Sequence, residues 1–187
     1  PFMVASNYQR LSYNYTILHD FQSSLKYSKK CLQIRKDIDA SNLYLGLSLL
    51  DIGTDYFNLK KFKESINYLN EALTLLEPYN NTNDSYNKGS ASYLIGQIHF
   101  EKKEFEEALN MFEKSANYYE LYYRNNQVCI DGAHIYADLT KLQLNKKNNL
   151  NVYNKDNCYL FDDTKIRNIN DHRIIRFKCL KQLFLFF

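Results

Sequence analysis

The glycines constrain the fold of this chain more than any other residue type. There are five in 187 residues, and they fall on two ladders with one period. Gly46, Gly89 and Gly132 stand 43 residues apart, and Gly53 and Gly96 repeat the interval inside two Gly-x6-Gly pairs. A fixed period of this size marks tandem structural repeats, and in a repeat the flanking chemistry must move with the glycines. It does. At a shift of 43, Ile52 falls on Ile95, Phe57 on Phe100, Lys60 on Lys103, Phe62 on Phe105, Glu64 on Glu107 and Asn67 on Asn110. An earlier copy without the glycine aligns at a shift of 41, placing Phe21 on Phe62, Ser24 on Ser65, Tyr27 on Tyr68 and Leu32 on Leu73. A fourth begins after Gly132, where residues 142–147 echo residues 98–103 at a shift of 44.

Inside each unit the apolar residues recur at helical spacing. Leu49, Ile52, Tyr56 and Leu59 form one series; Phe62, Ile66, Leu69, Ala72, Leu73 and Leu76 form a second after a short Lys60-Lys61 turn. Each unit is therefore predicted to be a helical hairpin. A lone hairpin of this length cannot bury its apolar face, so neighbouring units must stack into a continuous core. Glycine inside a helix costs on the order of 1 kcal/mol against alanine, so its repetition predicts that a neighbouring helix passes too close for a side chain.

These residues resemble the tetratricopeptide repeat family, whose signature runs W-x2-L-G-x2-Y, then A-x3-F, then P. The middle unit offers Leu49-x2-Ile52-Gly53-x2-Tyr56, then Ser65-x3-Leu69 with Ala72 on the next turn and Pro78 beyond; the next offers Ser92-x2-Ile95-Gly96-x2-His99 and Ala108-x3-Phe112. The departures are the missing Trp, the His at the Tyr place, and periods of 41 to 44 where the family has 34. The added length is similar to the long-repeat branch seen in kinesin light chain and in bacterial peptide-sensing regulators of the Rap and PlcR type. The resemblance implies an all-α fold, a right-handed α-solenoid of antiparallel helical hairpins (a TPR-like superhelix). It covers residues 5–148 as three to four hairpins at about 5–40, 41–86, 87–125 and 126–150, and leaves 151–187 as a degenerate helical or capping segment.

Composition narrows the partners. Residues 1–150 hold 17 basic and 17 acidic side chains, and the excess lies in the tail, 7 against 4. Counterion release from phosphates needs clustered Lys and Arg, so nucleic acid is not expected on the array. In the tail, Arg173, Arg176, Lys178 and Lys181 alternate with Ile174, Ile175, Phe177, Leu180 and Leu183. That pattern suits a cap on the last unit, or alternatively a basic amphipathic segment on a membrane surface. Four scattered cysteines without a CxxC pair predict reduced thiols. With no run of eighteen apolar residues and no recognisable secretory signal, the expected setting is cytoplasmic.

Catalytic motifs are missing: the sequence has no Gly-rich phosphate loop, no H-E-x-x-H and no G-x-S-x-G. No enzyme activity, cofactor or metal is expected, since His99 with Glu101 and Glu104 reads as a solvated helix end. What the resemblance implies is a concave groove lined by the first helix of each unit. Residues at i, i+4, i+7 and i+8 there share a face: Gln9, Tyr13, Thr16 and Ile17; Leu50, Thr54, Phe57 and Asn58; Tyr93, Gln97, Phe100 and Glu101; Ala137, Lys141, Leu144 and Asn145. Aromatic rings beside amides suit an extended peptide, through buried area and through bonds to its main chain. The same faces lack the Lys, Arg and Asn with which chaperone-binding relatives hold a terminal carboxylate. The chain is thus expected to be a non-catalytic scaffold binding a peptide or partner segment. The alternative is the peptide-sensing portion of a Rap/PlcR-type regulator whose effector domain is absent from this chain.

Overall fold

A computed structural model describes residues 1–122 and 127–147. Seven helices occur among them: α1 (Phe2–Ile17), α2 (Phe21–Asp37), α3 (Asn42–Asn58), α4 (Phe62–Leu76), α5 (Thr82–Glu101), α6 (Phe105–Tyr122) and α7 (Gln127–Lys147). No strand occurs among the described residues. The segment 151–187, with the tail expected to cap the array or touch a membrane, lies outside them.

Consecutive helices pack as hairpins, α1 with α2, α3 with α4 and α5 with α6, and α2, α4 and α6 each pack on the first helix of the following unit. Within the hairpins, the turns repeat as faithfully as the helices. His19, Lys60 and Lys103 take positive φ of 58°, 60° and 61°, and the residue after each donates its N–H five residues back: Asp20 to Tyr15, Lys61 to Tyr56, Glu104 to His99. This pairing satisfies carbonyls that a helix end leaves open. Asp39, at φ 50°, closes α2 in the same way, with Ala40 N–H bonded to Arg35 O.

The glycine ladders find their cause in the hairpins. A Cβ on Gly46 would lie 2.9 Å from Leu76 Cγ, and one on Gly53 would lie 2.7 Å from Leu69 Cγ. The same register recurs 43 residues on, where Gly89 meets Tyr119 at 2.7 Å and Gly96 meets Phe112 at 2.8 Å. In the first unit the matching positions are Ala5 and Ser12, and the place of Leu69 is taken by Ser28, whose Oγ shares a 2.6 Å hydrogen bond with Ser12 Oγ. At Gly132 nothing among the described residues lies within 4 Å of a Cβ built there, and the segment that follows α7 is outside them. The buried face of α7 is Ile130, Ala133, Ala137 and Thr140, which matches Lys88, Ala91, Ile95 and Ile98 at a shift of 42. The buried positions of α7 are thus offset by one residue from the spacing of its glycine.

The principal core runs through the first three units, from Leu25 and Leu32 through Leu49, Ile52, Leu69 and Leu73 to Ala91, Ile95 and Ile98. Burying side chains of this size contributes about 1.5–3 kcal/mol each. Alongside it, the sixth and seventh helices close over Ala108, Phe112 and Ala137 and over Ala116, Tyr119, Ile130 and Ala133. Lys88, 2% exposed, staples the α4–α5 connection: its ammonium donates to Tyr79 O at 2.9 Å and to Asn80 Oδ1 at 3.0 Å, and sits 5.1 Å from the Tyr118 ring centroid.

Candidate binding surface

The first helices of the units form one layer. Gln9 Nε2 of α1 donates to Asp51 Oδ2 of α3 at 2.8 Å, and α3 packs against α5. No comparable packing joins α2 to α4 or α4 to α6. Of these pairs, α3 and α5 thus approach most closely.

Each first helix spends three faces on neighbours. One faces its own hairpin partner, at Ser12, Gly53 and Gly96. A second faces the preceding unit, at Ile52 and Ile95. The third faces the next first helix, at Gln9, Leu50 and Tyr93. What remains is an arc with helical spacing i, i+3 and i+7, giving three rows across the array: Arg10, Asp51 and Leu94; Tyr13, Thr54 and Gln97; Ile17, Asn58 and Glu101. Arg10, Tyr13, Ile17 and Glu101 are exposed and the other five are half-buried.

The face chosen from the sequence overlaps this arc and is rotated from it. Tyr13 (67% exposed), Thr54, Asn58, Gln97 and Glu101 lie on it, with the Thr54 hydroxyl donating back to Leu50 O at 2.9 Å. Leu50 does not; it is 8% exposed and belongs to the core. Tyr93 packs edge-on against Phe112 and Tyr136 at 5.7 and 5.5 Å, and burial pushes its hydroxyl pKa up. Phe57 packs on Phe62 and the core, and Phe100 on Phe105 and Tyr136. These rings build the hairpins. Lys141 is exposed and pairs with Glu113 at 2.8 Å, bridging α7 to α6; the side chain of Asn145 lies outside the described residues. His99 Nδ1 meets Glu104 Oε2 at 2.6 Å and closes the hairpin turn.

Behind the first two rungs lies a buried polar seam that the sequence reading missed. Arg35, 2% exposed, donates from Nη1 to Ser48 Oγ (2.7 Å) and Tyr44 O (3.0 Å), and from Nη2 to Gln9 Oε1 (2.8 Å), while its Nε is buried without a partner. Gln9 passes this contact to Asp51. One turn on, buried Asp55 accepts from Ser24 at 2.5 Å and Ser28 at 2.7 Å, and Ser12 and Thr16 complete the hydroxyl cluster. Desolvation raises the pKa of both carboxylates. For Asp51 the Gln9 bond pulls down, the Asp55 charge pushes up and Arg35 pulls down again, leaving it at about 6. For Asp55 the serine bonds only partly offset burial. Arg35 occupies the repeat position of Leu76 and Tyr119, and Ser28 that of Leu69, so the one available signal was polar residues at apolar places of the repeat.

The helices and their register define an α-solenoid of stacked antiparallel hairpins. Residues 44–121 match the tetratricopeptide repeat family, and that part of the chain carries tetratricopeptide repeats. No curated protein matches it. Repeats of this family mediate protein–protein interaction and are generally non-catalytic. No described helix is long and apolar enough to cross a membrane.

Proposed function

We propose that the chain is a non-catalytic scaffold that holds a peptide or partner segment along the inner face of its first helices. The observation that carries this reading is the composition of the free arc. Tyr13, Thr54, Gln97 and Asn58 offer ring area, a hydroxyl and amides at the spacing of successive rungs, and amides pair with an extended main chain while rings cover its side chains. Free, reduced Cys31 and Cys129 support a cytoplasmic setting. The period of 41 to 43 residues favours the long-repeat branch, and with it the second reading as the ligand-sensing part of a peptide-responsive regulator.

Affinity capture from the native cell with mass spectrometry tests the groove. Partners held by the wild type should be lost with Asn58→Ala/Gln97→Ala and kept with Lys60→Ala. Identical recovery with all three proteins would overturn the reading.

A further inference from the structure

The outer face of α2 differs from the equivalent faces of α4 and α6 in a way the fold does not require. Its exposed residues are Gln22, Lys26, Lys29, Lys30, Gln33, Lys36 and Asp37. At the positions of Lys26, Lys29 and Lys30, α4 carries Asn67, Asn70 and Glu71, and α6 carries Asn110, Glu113 and Lys114. The repeat therefore folds without three lysines there. Three lysines within five residues place like charges at i, i+3 and i+4, which costs a helix a few tenths of a kcal/mol per pair, on the order of 0.2–0.5. None of the three makes an ion pair among the described residues. Asp37, the only exposed carboxylate on this face, takes the Gln33 amide at 2.7 Å.

The ammonium groups are also held in place. Lys30 lies 5.3 Å from the Tyr8 ring and 5.6 Å from the Tyr27 ring, Lys26 lies 5.9 Å from Tyr27, and Lys29 lies 5.2 Å from Tyr56. Such cation–π contacts are worth roughly 0.5–1 kcal/mol at exposed sites. The rings are fixed in turn: Tyr27 is stacked between Tyr8 at 5.8 Å and Tyr15 at 5.4 Å, and Tyr56 stacks on Tyr68 at 5.4 Å. The surrounding exposed residues of α2 are all polar, which offers nothing to insert into a bilayer.

We infer that the outer face of α2 is an anion-recognition surface for an acidic protein segment, in which carboxylates at one-turn spacing meet the ammonium groups of Lys26, Lys29 and Lys30. This surface is separate from the inner face of the first helices and does not depend on its reading.

The test is fluorescence anisotropy of the full chain with a labelled twelve-residue helical peptide carrying Glu at i, i+3, i+4 and i+7, against the same peptide with Gln. The Glu peptide should bind, weakening as salt rises from low to physiological strength and above, and the Gln peptide at least tenfold less. The variant Lys26→Asn/Lys29→Asn/Lys30→Glu copies α4 and should retain the wild-type circular dichroism while losing at least tenfold in affinity. Lys30→Gln alone should lose about threefold, and Lys63→Asn on α4 nothing. Equal binding of the two peptides, unchanged affinity of the lysine variants, or stronger binding of an oligothymidine or of phosphatidylserine vesicles at the same ionic strength would overturn the assignment.

Discussion

Gly53 and Leu69 meet across the α3–α4 hairpin with no room for a methyl group between them: a Cβ on Gly53 would lie 2.7 Å from both Cγ and Cδ2 of Leu69 and 3.3 Å from its backbone nitrogen. Gly96 and Phe112 repeat the relationship in the next hairpin at 2.8 Å. Glycine at these places sets how closely the two helices of a unit approach, and thereby how the first helices line up as a layer.

Gly53→Ala should therefore destabilise the protein even though alanine favours helix. Forcing a methyl into a packed core costs about 1–3 kcal/mol, against a propensity gain of roughly 0.8–1 kcal/mol, so a net loss of up to about 2 kcal/mol is expected. Gly132→Ala meets no atom of the described residues and should stabilise by about 0.5–1 kcal/mol. Urea melts of the two variants check the contrast, and equal signs would contradict it.

Asp51 links stability to pH. Its folded pKa of about 6 lies above the ordinary aspartate value of 3.8, so the native state holds a proton that the unfolded chain has already released. The stability this gives is complete below about pH 4 and is lost as pH rises through 6. At neutral pH the ionised, half-buried carboxylate costs up to about 2–3 kcal/mol. Asp51→Asn should be more stable than wild type at pH 7.5 and close to it at pH 4, while its Oδ1 still accepts from Gln9. A stability difference independent of pH would rule out Asp51 as the titrating group.

Lys103 holds a left-handed conformation, φ 61°, that L side chains pay to adopt. Lys103→Gly should stabilise the α5–α6 hairpin by about 0.5–1 kcal/mol. Lys60→Gly should gain less, because Lys60 lies over the Phe57 and Phe62 rings at 5.6 and 5.8 Å and forfeits those contacts. Thermal melts of both variants read the difference.

The hairpins, their turn at Lys60 and the close approach at four glycines were legible because a helix repeats its faces at a fixed spacing and a repeat repeats its neighbours. The inner surface was legible only in part. Periodicity tells which residues share a face, and it does not tell where the neighbouring helices sit, so the face it selects includes Leu50, which is buried in the core, and Tyr93, which packs on Phe112 and Tyr136. Arg35 was hidden for a different reason. A single Arg on a helix end reads as solvated, and only the arrangement of Gln9, Tyr44 and Ser48 on two other helices makes its burial affordable.

The same logic of faces separates Leu11 from its counterparts. Leu11, Ile52 and Ile95 occupy one position in three successive units, the face presented to the preceding second helix. Ile52 is fully buried and Ile95 is 2% exposed, whereas Leu11 is 40% exposed, and Met3, Val4 and Leu18 are open beside it. Burial decides the cost of truncation, because removing a buried side chain loses its transfer energy and leaves a cavity. Ile52→Ala and Ile95→Ala should each cost about 2–5 kcal/mol, and Leu11→Ala less than about 1 kcal/mol. Chemical denaturation of the three variants checks the order. If Leu11→Ala proved as costly as Ile52→Ala, the face of α1 would be covered in the native protein.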